Sequence, residues 1–199
     1  ETNSNAMSST GKKHGYIFEV TADPQQTTGQ PIVGMGRFAH EAVAIDPATG
    51  IAYETEDARN VSTLYRYVPR FPNGGVGSLA LGGQLQAARV VGQPNASLIV
   101  ASLGDEVQLE WVDIAQPDAD ITTAGALNSV PPGASAGNGC SGTFGQAWNQ
   151  GCLQMSRGEG IWYSYGKMFI VDTSTGVDAQ GRKGRGNGSV WVLDLFTQR

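Results

Sequence analysis

One short pattern occurs twice in this chain, and it limits the fold more than any other feature. The first copy runs Gly36-Arg37-Phe38-Ala39-His40-Glu41 into an apolar stretch at 42–45, a turn at Asp46-Pro47-Ala48-Thr49-Gly50, and a second stretch from Ile51 that ends Glu54-Thr55-Glu56-Asp57. The second runs Arg157-Gly158-Glu159-Gly160 into Ile161-Trp162-Tyr163, a turn at Ser164-Tyr165-Gly166, and a stretch from Lys167 that ends Val171-Asp172-Thr173. Each copy reads as a lead glutamate, strand, tight turn, strand, and an acidic or hydroxyl end. Each is followed, after a loop, by an aromatic strand: Leu64-Tyr65-Arg66-Tyr67 in one case, Val190-Trp191-Val192-Leu193 in the other. Repetition at this scale describes stacked β-units, and strands in sets of about four describe a β-propeller. The lead residues of equivalent inner strands converge in that architecture, so Glu41 and Glu159 are expected to meet.

Composition agrees with an all-β reading. Glycine is abundant, at 28 of 199 residues, and only 16% of residues are charged. The net charge of −5 argues against a nucleic-acid partner. No apolar run is long enough to span a membrane, and no signal peptide is visible. The chain opens Glu1-Thr2-Asn3 without an initiator Met, which reads as a start within a longer protein.

Strands are expected at 14–20, 42–45, 51–55, 63–68 (stopped by Pro69), 98–101, 108–114, 161–163, 167–171 and 189–193. Residues 1–13 read as a flexible lead-in. Residues 117–151 read as a long irregular loop with a weak helix near 120–128. Cys140 and Cys152 lie in that stretch; they are either two unpaired small residues or a loop-closing disulfide worth roughly 3 kcal/mol.

Glu41 and Glu159 are candidate ligands for a hard cation, because carboxylate oxygens suit calcium, magnesium or ferric iron. The alternative is that each caps exposed backbone at a strand start. Glu56 and Asp57 read equally as ligands or as solvated turn residues. His40 should face away from Glu41 and reads as a hydrogen-bonded structural imidazole. Arg157 shares the face of Glu159 if it lies on the same strand, where a guanidinium suits phosphate capture or a plain salt bridge. Arg37 is off that two-residue register. Arg182, Lys183 and Arg185 read as a solvated, glycine-rich loop.

The segments His14-Gly15-Tyr16-Ile17-Phe18-Glu19-Val20, Gly36-Arg37-Phe38-Ala39-His40-Glu41-Ala42, Thr55-Glu56-Asp57, Leu64-Tyr65-Arg66-Tyr67-Val68-Pro69, Trp111-Val112-Asp113-Ile114 and Arg157-Gly158-Glu159-Gly160-Ile161-Trp162-Tyr163 follow one another as they do in PhoX-type alkaline phosphatases. The chain resembles that family over most of its length. The resemblance implies a six-bladed propeller, of which this chain covers only part, so that another segment or chain completes the ring. It implies a periplasmic or secreted enzyme that hydrolyses phosphate monoesters of small molecules with calcium and iron as cofactors. By motif match Glu41 and Glu159 become metal ligands and Arg157 the phosphate-binding catalytic residue. Asp57 joins the metal set, as does Glu1, taken as the last residue of a Glu-Glu pair in the family. The family's metal-binding cysteine has no counterpart here, since Cys140 and Cys152 lie elsewhere. Two other functions fit a propeller: a non-catalytic, calcium-stabilised scaffold or binding module, and a calcium-dependent lactonase or esterase.

Overall fold

The computed structural model describes residues 11–135 and 139–199. Two antiparallel sheets carry the fold. The first is a five-stranded meander: β1 (His40–Ile45), β2 (Ala52–Glu56), β3 (Leu64–Pro69), β4 (Gly83–Val90) and β5 (Leu109–Asp113). The second has three strands: β6 (Gly158–Ser164), β7 (Lys167–Asp172) and β8 (Ser189–Asp194). The protein is all-β in character. Among the described residues the two sheets do not close into a ring.

Both expected hairpins form, for local reasons. Asp46 closes the β1–β2 turn by accepting from the Ala48 N–H at 3.0 Å and the Thr49 hydroxyl at 2.7 Å. The β6–β7 turn needs two consecutive left-handed residues. Tyr165 (φ 46°) and Gly166 (φ 77°) supply them, and this is the turn whose twist matches a hairpin.

The sheets pack face to face through one core. Tyr53, Leu64, Ala88 and Val90 of the first sheet meet Ile161, Met168, Ile170 and Leu193 of the second. The opposite face of the first sheet buries Tyr65, Tyr67, Leu85 and Ala87 beneath Ile32, Met35 and Phe38. The opposite face of the second sheet is uncovered: Trp162 (75% exposed), Val190 (64%), Val192 and Phe169 lie on it.

Three expectations change. Residues 14–20 form no strand; Phe18 makes one bridge with Pro31, so the alternating pattern finds no partner strand. Residues 98–100 form a 3₁₀ turn (Leu98–Val100) that buries Leu98 and Ile99. Residues 117–151 are not irregular throughout. They hold a single-turn helix α1 (Ile121–Ala124) and a two-turn helix α2 (Gly142–Asn149). Ser141 caps α2 by accepting from the Phe144 N–H, and the helix buries Phe144, Ala147 and Trp148. Of the two readings of the cysteines the first holds: Cys140 and Cys152 are two buried thiols. No helix among the described residues is long and apolar enough to cross a membrane.

Candidate active site

The lead strands β1 and β6 pack against each other where the two sheets meet. Both carry the same irregularity at the same place. The β1–β2 register shifts between His40 and Val43, and the β6–β7 register shifts between Gly158 and Ile161. Glu41 and Glu159 are the second residues of these shifted stretches. A bulge takes a side chain out of strict strand alternation, so each glutamate is re-aimed at the seam.

A single hydroxyl joins the two bulges. Thr55 Oγ1, fully buried, accepts from the Ala42 N–H at 3.1 Å and donates to the Glu159 carbonyl. Gly158 permits the approach: a Cβ there would lie 3.1 Å from the Glu56 carbonyl and 3.3 Å from Thr55 Cβ. The repeat therefore extends from sequence into contact.

The glutamates meet as expected. Burial, then the negative charges of Glu41 and Asp57, push the Glu159 carboxyl above its ordinary pKa, with Arg157 opposing them. Glu41 Oε2 is buried with no hydrogen-bond partner among the described residues.

Arg157 lies within salt-bridge distance of Glu159, one of the two roles expected of it, but from outside the strand. It precedes β6 and sits in the left-handed region at φ 65°. Its guanidinium grips Asp57 in bidentate fashion, Nε to Oδ1 and Nη2 to Oδ2, both at 2.8 Å. Glu159 Oε1 lies 3.5 Å from Nη2. Asp57 is thus not a solvated turn residue; its side chain is 5% exposed and both oxygens accept from Arg157. Glu1 lies outside the described residues.

The model of the alkaline phosphatase PhoX family matches residues 2–198. The chain belongs to the PhoX alkaline phosphatase family. No curated protein and no solved structure matches it. Membership supports an alkaline-phosphatase-type phosphatase in general, acting on a phosphorylated substrate.

Against that membership, the donor set can be tested for a metal. Two facing carboxylates with an unpartnered buried oxygen fit a hard cation, which would relieve their repulsion and fill the missing contact. Among the described residues, no group of three or more His, Cys, Asp or Glu side chains is arranged as a metal site. Glu41 and Glu159 therefore fit as part of a ligand set.

Three neighbours that sequence reasoning left open or missed complete the surroundings. Glu56 is not solvated: it is buried, and Tyr65 donates to its Oε2 at 2.8 Å and Ser141 to its Oε1 at 2.6 Å. Burial still lifts its pKa to about 7. Its counterpart in the second copy is Asp172, since His40 pairs with Glu56 as Gly158 pairs with Asp172. Glu54 is fully buried, and neither of its oxygens has a hydrogen-bond partner among the described residues. His40 Nδ1 lies 3.3 Å from Glu54 Oε2 but off the hydrogen-bonding direction. The His40 ring packs on Phe38 at a tilt of 33°, centroids 3.6 Å apart, and its Nε2 lies 3.2 Å from the Gly36 carbonyl, the structural role expected of it. Arg37 belongs to another network, held by Asp118 and Asp120.

Proposed function

We propose that this chain supplies part of a metal-dependent phosphatase site for phosphate monoesters, active in a completed propeller in the periplasm or outside the cell. The observation that carries the reading is the convergence of Glu41, Asp57, Arg157 and Glu159 from two copies of one β-unit. Glu41 and Glu159 would hold the cation, with calcium and iron as the candidates; the bound metal supplies Lewis-acid activation of a phosphoryl group. Arg157 binds the phosphoryl oxygens and stabilises the charge that develops on them. Asp57 is a positioning residue: its bidentate grip holds the guanidinium rigid beside the carboxylate pair. The uncovered face around Trp162, Val190 and Phe169 supports packing by a further sheet, which would complete the ring.

The test is hydrolysis of p-nitrophenyl phosphate by the complete protein supplied with calcium and iron, with metal content measured alongside. Glu159→Gln should lower both bound metal and turnover, and Arg157→Ala should lower turnover by about 10²–10³ with metal retained. Unchanged turnover in Glu159→Gln would sink the reading. Bound calcium without any hydrolysis would favour a scaffold, and ester turnover without phosphoester turnover a lactonase.

A further inference from the structure

Arg157 has company. Its backbone N–H donates to the Ala58 carbonyl at 3.3 Å, which sets it against the loop leaving β2. The next residue of that loop is Arg59. Arg59 Nη1 donates to the Gly184 carbonyl at 2.8 Å and to Ser174 Oγ at 3.1 Å. The residue after Gly184 is Arg185. Three arginines from three separate segments are therefore drawn to one place, beside Asp57. Burial, then the charges of Arg185 and Arg157, disfavour the charged form of Arg59, with Asp57 opposing them.

The loop carrying Arg185 is held in place. Gly184 is buried, and its N–H donates to the Gly176 carbonyl at 2.9 Å. Asn60 Nδ2 lies 3.3 Å from the Lys183 carbonyl and 2.7 Å from the Gly133 carbonyl. Arg182, by contrast, turns away to its own partner, Asp178. The glycine-rich loop is thus fixed to the site by its backbone while the Arg185 side chain stays exposed. Asp57 offsets part of the like-charge repulsion among the three guanidiniums, and an added anion beside Arg59 and Arg185 would offset more of it.

We propose that Arg59 and Arg185 form a second anion-binding position beside Arg157, which makes the favoured substrates small phosphate monoesters bearing a further anionic group. The inference rests on the phosphatase reading for the role of Arg157 and adds the substrate class. A carboxylate and a second phosphate satisfy the same chemistry. Guanidinium donors in a planar fork suit both.

Calorimetric titration with calcium present separates the cases through two matched pairs. 3-Phosphoglycerate differs from glycerol 3-phosphate by a carboxylate. Fructose 1,6-bisphosphate differs from fructose 6-phosphate by a phosphate. In at least one pair the member with the additional anionic group should bind about fivefold more tightly, as a partly exposed charge contact gives; which pair it is identifies the second group. Arg185→Gln should bring that ratio close to one, and Arg59→Lys, which keeps the charge, should preserve most of it. Equal binding within both pairs, a ratio untouched by Arg185→Gln, or binding of none of the four compounds overturns the inference. Preferential binding with no release of phosphate from any of them overturns the phosphatase reading and leaves this one standing.

Discussion

Thr55→Val tests whether the two bulges are joined as described. Valine has nearly the same shape but no hydroxyl, so the change removes hydrogen bonds and adds no cavity. Two part-buried backbone groups lose their partner: the Ala42 N–H, now 3.1 Å from Thr55 Oγ1, and the Glu159 carbonyl. Each unsatisfied group costs roughly 1–3 kcal/mol, so the variant should lose about 3 kcal/mol of stability. With a urea dependence of about 2 kcal/mol per molar, the unfolding midpoint falls by about 1.5 M. Thr55→Ser keeps the hydroxyl and should stay within about 1 kcal/mol of the parent. The two variants are compared by urea denaturation followed by tryptophan fluorescence. Because the lost contacts position the backbone of Glu159, Thr55→Val should also weaken metal retention while Thr55→Ser does not. A midpoint for Thr55→Val equal to that of the parent would show that this hydroxyl does not join the lead strands.

Other measurements reach other parts of the reasoning. Glu56 has its folded pKa raised from 4.5 to about 7; at roughly 1.4 kcal/mol per tenfold change that is about 3 kcal/mol, present below pH 4.5 and lost as pH rises to about 7. Glu56→Gln should remove that share of the pH slope in urea melts between pH 4.5 and 8, and an identical slope in parent and variant would contradict it. Arg157 sits at φ 65°, so Arg157→Gly should be more stable than Arg157→Ala by about 1 kcal/mol although both lose phosphate binding; the reverse order in thermal melts would refute the strained backbone. Burial raises the thiols of Cys140 and Cys152, to about 11 and about 12, so neither should react with a thiol reagent at pH 8 until the chain is denatured. Rapid reaction of the native chain would count against that environment.

How much of this could be read from residues alone depends on the range of the contact involved. The hairpins were legible because Asp46, Gly50 and the Tyr165-Gly166 pair act within a few residues. The meeting of Glu41 and Glu159 was legible because a repeat carries long-range information in local form. β4 escaped notice: Gly83, Ala87 and Ala88 are weak strand formers, and the strand exists because β3 and β5 flank it. Residues 98–101 and 14–20 misled in the opposite sense, since a short apolar or alternating run has no meaning without a partner. α2 hides in a glycine-rich stretch, though Ser141 followed by Phe144, Ala147 and Trp148 at helical spacing was an available signal. The roles of Thr55 and Asp57 had no local sign. Their partners lie 104 and 100 residues away.

That last separation has a consequence for how the site comes into being. The five-stranded meander can be made by neighbour pairing alone, strand after strand. No part of the Glu41–Glu159 pair or the Asp57–Arg157 grip exists until β6 has been synthesised and has docked on β1, a closure across about half of the chain. Order at the seam thus has to follow pairing within the meander. Hydrogen exchange at the Met155 and Arg157 amides, which donate to the Ser62 and Ala58 carbonyls, set beside exchange deep in β3, would time it.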